Sequence, residues 1–301
     1  MATRFEILLH GQNAAALRAA GEEALDEVER LEAQLSLYRP GSEIARVNAQ
    51  AALRPVGVSP PVFQLLRHAQ QLHRECGGAF DITIGPLVRC WGFMDGTGHL
   101  PDPAELALAR ELVGMRHVIL DGDDFSVRFD RQGVMIDLGA IGKGYAVDCA
   151  ARTLREAGVA SALIHGGTST TCAIGHPPDA EDWMVAVAAS PESGAPTRPP
   201  LATVRLRDDA LSVSAGWGKF FEAGGRIYGH VLDPRTGEPV ANAVLAAVVL
   251  PSATESDALS TALLVAGAGG ERGIAELRPG MRTLLATSQG AGGGYLCRGN
   301  L

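Results

Sequence analysis

The chain has 301 residues, of which 46% are hydrophobic and 20% are charged, and its formal net charge at pH 7 is −8. This composition is typical of a globular protein with one large domain or two domains of moderate size. The negative charge argues against nucleic acid or an anionic membrane as the main partner, but it is compatible with a local basic pocket.

Cysteine usage and the absence of long apolar runs narrow the class of protein further. The five cysteines are scattered and include no C-x-x-C pair, so neither a zinc site nor a disulfide framework is indicated. No apolar run approaches the roughly 18 residues of a membrane span, and the N-terminal sequence MATRFEILLHG lacks the apolar core of a signal peptide. We therefore expect a soluble, cytoplasmic chain without a membrane span, or a periplasmic one if a leader has been removed.

Hydrophobic periodicity in the first part of the chain predicts short strands and amphipathic helices. Ser42 and Ser59 each stand where a helix N-cap is expected, and Pro60 suits the first helical turn. The predicted elements, in chain order, are a strand over 4–9, the helix Ala14–Leu35, a short helix after Ser42, a helix that begins at Ser59, a helix over 102–112, and a hairpin of strands 117–120 and 125–129.

The stretch 77–93 concentrates aromatic residues in a chain that is only 5% aromatic. It contains Phe80, Trp91 and Phe93 together with one acid, Asp81. Such a stretch either packs in the core or forms a pocket wall for a flat ring, and the sequence leaves both interpretations open.

A glycine-rich segment occupies the middle of the chain. Its glycine order, G-x-x-G-x-G, matches neither the dinucleotide-binding fingerprint nor the P-loop. A loop of this kind can still present backbone N–H groups to an anion, although a purely structural turn is an equal alternative. The segment reads as a strand over 134–138, a loop that carries Lys143, a helix over 145–157 and a strand over 162–164.

The remaining third of the chain predicts mostly strands, with helices near its end. Asp257 and Thr261 lie four residues apart, so a helix would place both oxygen-bearing side chains on one face, where they suit a hard cation such as Mg²⁺. His230, just before a strong turn signal, is either structural or catalytic. The predicted elements are strands over 168–175 and 184–188, a pair of strands over 201–206 and 210–214, strands 227–232 and Ala243–Leu250, helices 255–265 and 271–277, and closing strands 284–287 and 295–297.

Five segments carry a pattern that extends over most of the chain: SLYRPGSEIARVN (36–48), GGAFDITIGPLVRCWGF (77–93), IDLGAIGKGYAVD (136–148), YGHVLDPRTGEPV (228–240) and SDALSTALLV (256–265). In this order, they together resemble the ApbE-like FAD:protein FMN transferases. The resemblance implies a single ApbE-like domain over residues 1–301. It also implies an α+β (mixed α/β) fold, with a mixed, largely antiparallel sheet flanked by helices.

The resemblance further implies an activity. Members of this family use Mg²⁺ to move FMN from FAD onto a Thr or Ser hydroxyl of an acceptor flavoprotein subunit, with release of AMP. Two alternatives remain open at this point: an FAD pyrophosphatase that yields FMN and AMP on the same site, and a non-catalytic FAD-binding or carrier protein.

Functional residues are assigned by matching the family motifs position by position. The matching FAD contacts are Met1, Tyr38, Ala79, Phe80, Asp81, Asp137, Lys143 and His230. The matching metal ligands are the backbone oxygen of Ala140 and the side chains of Asp257 and Thr261. The residues expected to carry the chemistry are Asp257, Lys143 and His230, and the choice of general base between Asp81 and His230 stays open.

Three positions depart from the family pattern. Thr168 follows Gly166-Gly167 where a glutamate is usual, Ala2 replaces a glycine in the opening M-G-T, and the block 214–217 has one extra residue before its glycine. The segments that match the metal and FAD contacts are largely intact. The departures instead affect what can be expected of the acceptor and of the balance between transfer and hydrolysis.

Overall fold

The computed structural model describes residues 3–94, 96, 98–188, 199–241, 243–289 and 294–301. Within these residues no helix combines the length and apolarity that crossing a membrane requires. The strands are β1 Phe5–Leu9, β2 Val56–Gly57, β3 Val118–Asp121, β4 Ser126–Phe129, β5 Ala162–Gly166, β6 Thr170–Ile174, β7 Trp183–Val187, β8 Ala202–Leu206, β9 Ala210–Ala215, β10 Phe220–Ala223, β11 Arg226–Gly229, β12 Ala243–Leu250, β13 Arg282–Ser288 and β14 Tyr295–Gly299. The α-helices are α1 Ala14–Leu35, α2 Glu43–Gln50, α3 Pro60–Glu75, α4 Gly85–Cys90, α5 Pro103–Glu111, α6 Gly142–Glu156 and α7 Ala253–Ala275.

The chain divides into two compact units, and each unit is assembled from separate segments. The first unit contains Met1–Leu31, Ile141–Ala215 and Ala243–Leu301, and the second contains Glu32–Ala140 and Gly216–Asn242. The expectation of a single family domain over residues 1–301 stays a prediction.

The first unit is built on a seven-stranded sheet in the order β1-β5-β6-β9-β12-β13-β14, with antiparallel pairing throughout. Helices α6 and α7 pack on this sheet and against each other. Strand β12 lies near its centre and is buried along most of its length, which explains its unbroken apolar sequence AVLAAVVL. The predicted fold class, helices flanking a largely antiparallel sheet, is confirmed.

The predicted pairing of strands 201–206 and 210–214 is wrong. Strand β8 pairs with β7, whereas β9 lies between β6 and β12 in the large sheet. The link between β8 and β9 contains Asp208 at φ 53°, a left-handed conformation that redirects the chain. Strand β9 begins with three consecutive buried residues, so both of its faces are covered there, as in the interior of a sheet. Strand β8 instead alternates between buried and accessible positions.

The second unit carries helices α2 to α5, the three-stranded sheet β2-β4-β3 and the two-stranded hairpin β10–β11. The sequence predicted the pairing of β3 with β4, but it missed β10, which pairs with the predicted strand near 227. Ser59 occupies the predicted N-cap of α3, yet its hydroxyl makes no cap bond and instead accepts from Gln34 Nε2 at 2.8 Å.

Core packing accounts for the aromatic residues of the stretch 77–93. Trp91 and Phe93 are buried in an apolar cluster with Leu87 and Leu232, and Phe221 of β10 packs against it. The indole of Trp91 donates to the carbonyl of Gly237 at 2.8 Å, so its one polar atom is satisfied.

Residues 134–138, predicted as a strand, form none. The segment is held by a side chain instead of a neighbouring strand: Asn48 Oδ1 accepts from the N–H of Ile136 at 2.7 Å, and Asn48 Nδ2 donates to the Ile136 carbonyl at 2.8 Å. The N–H of Asp137 then donates to the carbonyl of Ile82 at 2.7 Å. The apolar pattern that suggested a strand therefore reflects burial alone. The side-chain amide of Asn48 bonds the backbone N–H and C=O of Ile136, which a neighbouring strand would otherwise have to bond.

Two predicted helices also differ from the structure. Helix α6 begins at Gly142, not at residue 145, so only the first of the three loop glycines precedes it. The two helices predicted after β12 join in α7, which is interrupted at Gly267 by non-helical backbone, φ 59° and ψ −163°. Glycine adopts this conformation without the cost that a Cβ would add.

We predict that Asn48→Ala destabilises the protein by about 2 to 3 kcal/mol, because it leaves the buried N–H and C=O of Ile136 without their partner. The urea midpoint of unfolding measures this change. Gln50→Ala, on the same helix, removes only a hydrogen bond to the exposed Arg54 and serves as the control. Equal midpoints for the two variants would contradict the role of Asn48.

Candidate functional site

Helices α6 and α7 approach each other closely at Gly144. A Cβ at this position would overlap the carbonyl oxygen of Ala253 and would lie 2.7 Å from Cβ of Asp257. The N–H of Gly144 donates to Oδ2 of Asp257 at 3.0 Å. A glycine is therefore required here for a geometric reason, and the contact joins two segments predicted to be functional.

Asp257 is the buried acid of the first unit, with only 2% of its surface exposed. Its Oδ1 accepts from Ser212 Oγ at 3.2 Å and lies 3.5 Å from Nζ of Lys143. A buried carboxylate requires a cation and hydrogen-bond donors, because the loss of water would otherwise destabilise its charged form. Lys143 and Asp257, about 110 residues apart in sequence, therefore lie side by side in the structure.

A group of hydroxyl side chains lies next to this acid on α7 and β9. Ser214 Oγ lies 2.8 Å from Ser260 Oγ and 2.9 Å from Thr261 Oγ1. Thr261 also donates to the backbone carbonyl of Asp257 at 3.3 Å, so the predicted pair does share one helix face. Sequence reasoning assigned no role to the serines, although the S-x-S alternation of Ser212 and Ser214 in β9 is the signal that places two hydroxyls on one side of a strand.

The donor atoms of this group suit a hard cation. Mg²⁺ prefers carboxylate and other oxygen ligands and takes the rest of its shell from water and phosphates. Asp257 and Thr261 supply such oxygens. The described residues contain no cluster of three or more His, Cys, Asp or Glu side chains that could form an all-protein cage. Ala140, the third predicted ligand, belongs to the second unit.

Asp148 of α6 holds the start of α7. Its Oδ1 accepts from the N–H of Ala253 at 2.8 Å, and its Oδ2 accepts from Ser252 Oγ and from both the N–H and the hydroxyl of Thr254 at 2.6–2.9 Å. A carboxylate at a helix N-terminus satisfies N–H groups that have no partner within the helix. Asp148 therefore fixes the first turn of the helix that carries Asp257.

The second unit contains a polar group centred on Asp81, which is 6% exposed. Its Oδ1 accepts from the N–H and the hydroxyl of Thr83 at 2.7 and 2.6 Å, and its Oδ2 lies 3.2 Å from Nδ1 of His73. The neighbours Ala79 and Phe80 are also buried, and Phe80 is only 2% exposed. A ligand would therefore meet this segment mainly through main-chain atoms.

Asp137 lies beside the Asp81 segment. Its N–H bonds to the carbonyl of Ile82, which follows Asp81, and its Oδ1 accepts from the N–H of Gly139 at 2.8 Å. This second bond closes a turn just before the loop that leads to Ala140. The structure thus brings together two of the predicted FAD-contact segments, which are far apart in sequence.

His73, which sequence reasoning missed, orients the Asp81 carboxylate. Its Nδ1 also lies 3.0 Å from the carbonyl oxygen of Phe80. Burial by itself would lower the pKa of the His73 imidazole, but the hydrogen bond to Asp81 and the negative charge of that carboxylate raise the pKa above its ordinary value. No sequence motif marks His73, because its partner is set by the turn at Gly77-Gly78.

Three other predicted residues have different surroundings. Tyr38 lies on a turn of the second unit and is 62% exposed. His230 follows β11, and its Nδ1 lies 3.2 Å from the carbonyl oxygen of Lys219. Met1 lies outside the described residues.

Comparison with known proteins adds independent information. A model of the ApbE family matches residues 1–285. A protein of Treponema pallidum named FAD:protein FMN transferase is 32% identical over 286 residues, which cover 90% of this chain and 78% of the relative. The protein of the same name from Salmonella typhimurium is 30% identical over 264 residues, which cover 86% of this chain and 74% of the relative.

Solved structures show the same relationship. The ApbE protein of Thermotoga maritima superimposes with a TM-score of 0.87 at 26% identity, covering 99% of this chain and 94% of that one. The flavin transferase ApbE of Vibrio cholerae gives a TM-score of 0.83 at 27% identity, covering 100% of this chain and 94% of that one.

We predict that Asp148→Asn destabilises the protein by about 2 to 3 kcal/mol, because a neutral amide offers one acceptor where two oxygens now accept charge-assisted bonds. Thermal unfolding measures the loss. Glu156→Gln, which removes an exposed carboxylate from the same helix, is the matched control. An unfolding temperature for Asp148→Asn equal to that of the control would refute the proposed role of Asp148.

We also predict a pH-dependent effect of His73→Asn. A raised folded-state pKa means that the charged imidazole stabilises the fold below its ordinary pKa of about 6.5, and that this stability is lost as the pH rises through the raised value. The unfolding temperature of the variant should therefore fall further below wild type at about pH 5.5 than at about pH 9. His99→Asn, at an exposed position, is the control. A pH-independent difference would show that His73 acts through packing alone.

Proposed function

The chain belongs to the ApbE family, and on that premise we propose that it is an enzyme, an FAD:protein FMN transferase. It moves FMN from FAD onto a Thr or Ser hydroxyl of an acceptor flavoprotein and releases AMP. The observation that carries this proposal is the pair formed by the partly buried Lys143 of α6 and the buried Asp257 of α7, with hydroxyl groups beside it. The names of the similar proteins support it.

The proposed reaction breaks the phosphoanhydride of FAD and forms a phosphoester to the acceptor. The acceptor hydroxyl oxygen forms a bond to the phosphorus on the FMN side of the FAD diphosphate. The bond from that phosphorus to the bridging oxygen breaks, and AMP leaves with the bridging oxygen and its electron pair. The hydroxyl proton passes to a base. Such a reaction depends chiefly on alignment and on stabilising the charge that spreads over the phosphate oxygens.

Lys143 is suited to stabilise that charge. It is the second residue of α6, so its positive charge adds to the partial positive charge of the helix N-terminus. The ammonium group lies 3.5 Å from the buried carboxylate of Asp257, at a partly buried position where fixed charges act more strongly than in bulk solvent.

We further propose that the side chains of Asp257 and Thr261 hold Mg²⁺. When bound, the ion supplies Lewis-acid stabilisation to phosphate oxygens. The oxygen chemistry of Asp257 and Thr261 supports this assignment. The hydrogen bonds from Gly144 and Ser212 keep the Asp257 carboxylate in one orientation without a metal.

For the second unit we propose FAD contacts by Ala79, Phe80, Asp81 and Asp137, and by Tyr38 and His230. Among the candidate bases, His230 is favoured over Asp81, because both oxygens of Asp81 already accept from Thr83 and His73. Tyr145 on α6 is excluded as a base: burial, together with the nearby Cys149, raises its pKa to about 12, so its phenol keeps its proton at neutral pH. The cytoplasmic location stays a prediction.

Mass spectrometry of a threonine-bearing acceptor peptide, incubated with FAD, Mg²⁺ and the protein, tests the proposal. We expect the peptide to gain the mass of an FMN phosphoester while AMP accumulates. Accumulation of free FMN and AMP with no gain in peptide mass would replace the transferase by a pyrophosphatase. Intact FAD across a panel of threonine- and serine-bearing peptides, with FAD bound, would replace it by a carrier.

We predict that Asp257→Asn lowers the transfer rate by about a hundredfold or more, the scale on which the loss of a charge-stabilising group acts. The neutral amide can neither hold a divalent ion nor fix the Lys143 ammonium. The rate of peptide flavinylation measures the loss, and Glu276→Gln, at the exposed end of α7, is the control. Circular dichroism verifies the fold. A folded variant that keeps Mg²⁺-dependent activity at normal FAD concentrations would show the assignment to be wrong.

A further inference from the structure

A cavity of about 480 Å³ in the second unit brings three arginines together. Arg110 comes from the end of α5, Arg116 from the 3₁₀ turn Met115–His117, and Arg235 from the turn after β11. The proposed function assigns no role to any of the three. Their convergence depends on the fold, since Arg235 is more than a hundred residues from the other two.

The cavity carries an excess of positive charge. Glu111 is the one carboxylate among its lining residues. Arg235 is paired with Asp233 through two bonds of 2.9 and 2.8 Å. Within the described part of the chain neither Arg110 nor Arg116 has a carboxylate within ion-pair distance; Arg110 donates only to the carbonyl of Arg235, at 3.4 Å. Two guanidinium groups are therefore available for an anion in a chain whose net charge is −8.

Two glycines leave room for these side chains. Gly237 has φ +79°, and a Cβ there would lie 2.7 Å from Cγ of Arg110. Gly114 has φ +132°, and a Cβ there would overlap the guanidinium of Arg116. The two arginines thus lie against backbone that has no side chain. Arg235 is fixed by its bidentate bond to Asp233, and a side chain that is already ordered loses little entropy when a ligand binds.

We propose that this cavity is a binding site for a phosphate-class anion: inorganic phosphate, diphosphate or the phosphate of a nucleotide. The planar guanidinium group matches phosphate oxygens with two parallel hydrogen bonds. The volume is in the range of small-molecule sites. Ala107, Val113 and Pro234 complete the lining of the cavity. This site lies beyond the proposed transferase reaction and uses none of its residues.

Isothermal titration with sodium diphosphate and, separately, with AMP tests the site on the full chain, at constant ionic strength and with EDTA present. We expect wild type to bind at least one of these anions, and Arg110→Gln/Arg116→Gln to bind it about a hundredfold more weakly, at about tenfold for each charge-assisted contact. Arg128→Gln, which removes an exposed arginine of β4 outside the cavity, should bind as wild type does. Tighter binding of AMP than of diphosphate would identify the nucleotide as the preferred form.

Three results would overturn the proposal. They are an absence of binding by wild type, an affinity of the double variant within twofold of that of Arg128→Gln, and tighter binding of citrate than of either phosphate compound. Binding that is lost in Lys143→Met but kept in the double variant would instead place the anion at the proposed catalytic group. Because Arg110 and Arg116 are exposed, unchanged unfolding temperatures for the double variant verify that it is folded.

Discussion

The burial of one carboxylate, Asp257, determines how the first unit is arranged. A charge that is 2% exposed is stable only where donors and a cation replace the water it has lost. Lys143, Ser212 and the N–H of Gly144 meet this requirement, and they do so only because α6 and α7 lie close enough for a glycine alone to fit between them. Asp148 of α6 caps the first turn of α7 and so fixes the place where the two helices meet. The proposed chemistry depends on the same contacts, since they leave a lysine and an acid fixed next to hydroxyl groups.

The second unit uses polar side chains where a sheet would normally supply the bonds. Asn48 pairs with both backbone groups of Ile136, and this holds an extended segment that leads to Asp137. His73 and Thr83 orient Asp81, and the charge of Asp81 keeps His73 protonated to a higher pH than an isolated histidine. Each of these bonds is short-ranged and directional, so this part of the molecule is specified by a few side chains and is sensitive to their loss.

Two places in this protein are locally positive although the chain as a whole is negatively charged. The net charge of −8 makes most of the surface unattractive to anions, yet Lys143 and the arginine-lined cavity present positive groups locally. A cleft lined by charges of one sign raises the local concentration of the opposite ion even where the net charge of the chain disfavours it. An FAD-using enzyme has to recognise a diphosphate in just this way, and the arginine-lined cavity applies the same physics at a second position.

The sequence by itself determined the elements with strong periodicity and the residues that lie in motifs. Ala14–Leu35 and Ala243–Leu250 were predicted to the residue, as was the shared helix face of Asp257 and Thr261, because periodicity and burial are local properties. Only the tertiary structure decided that β8 and β9 separate and that Ile136 pairs with Asn48 instead of a strand. It also decided that His73 contacts Asp81 and that Ser212 contacts Asp257. The three arginines of the cavity likewise met only on folding. In each of these cases the deciding partner is distant in sequence, and a side chain's own pattern carries no information about which distant backbone group or charge it will contact.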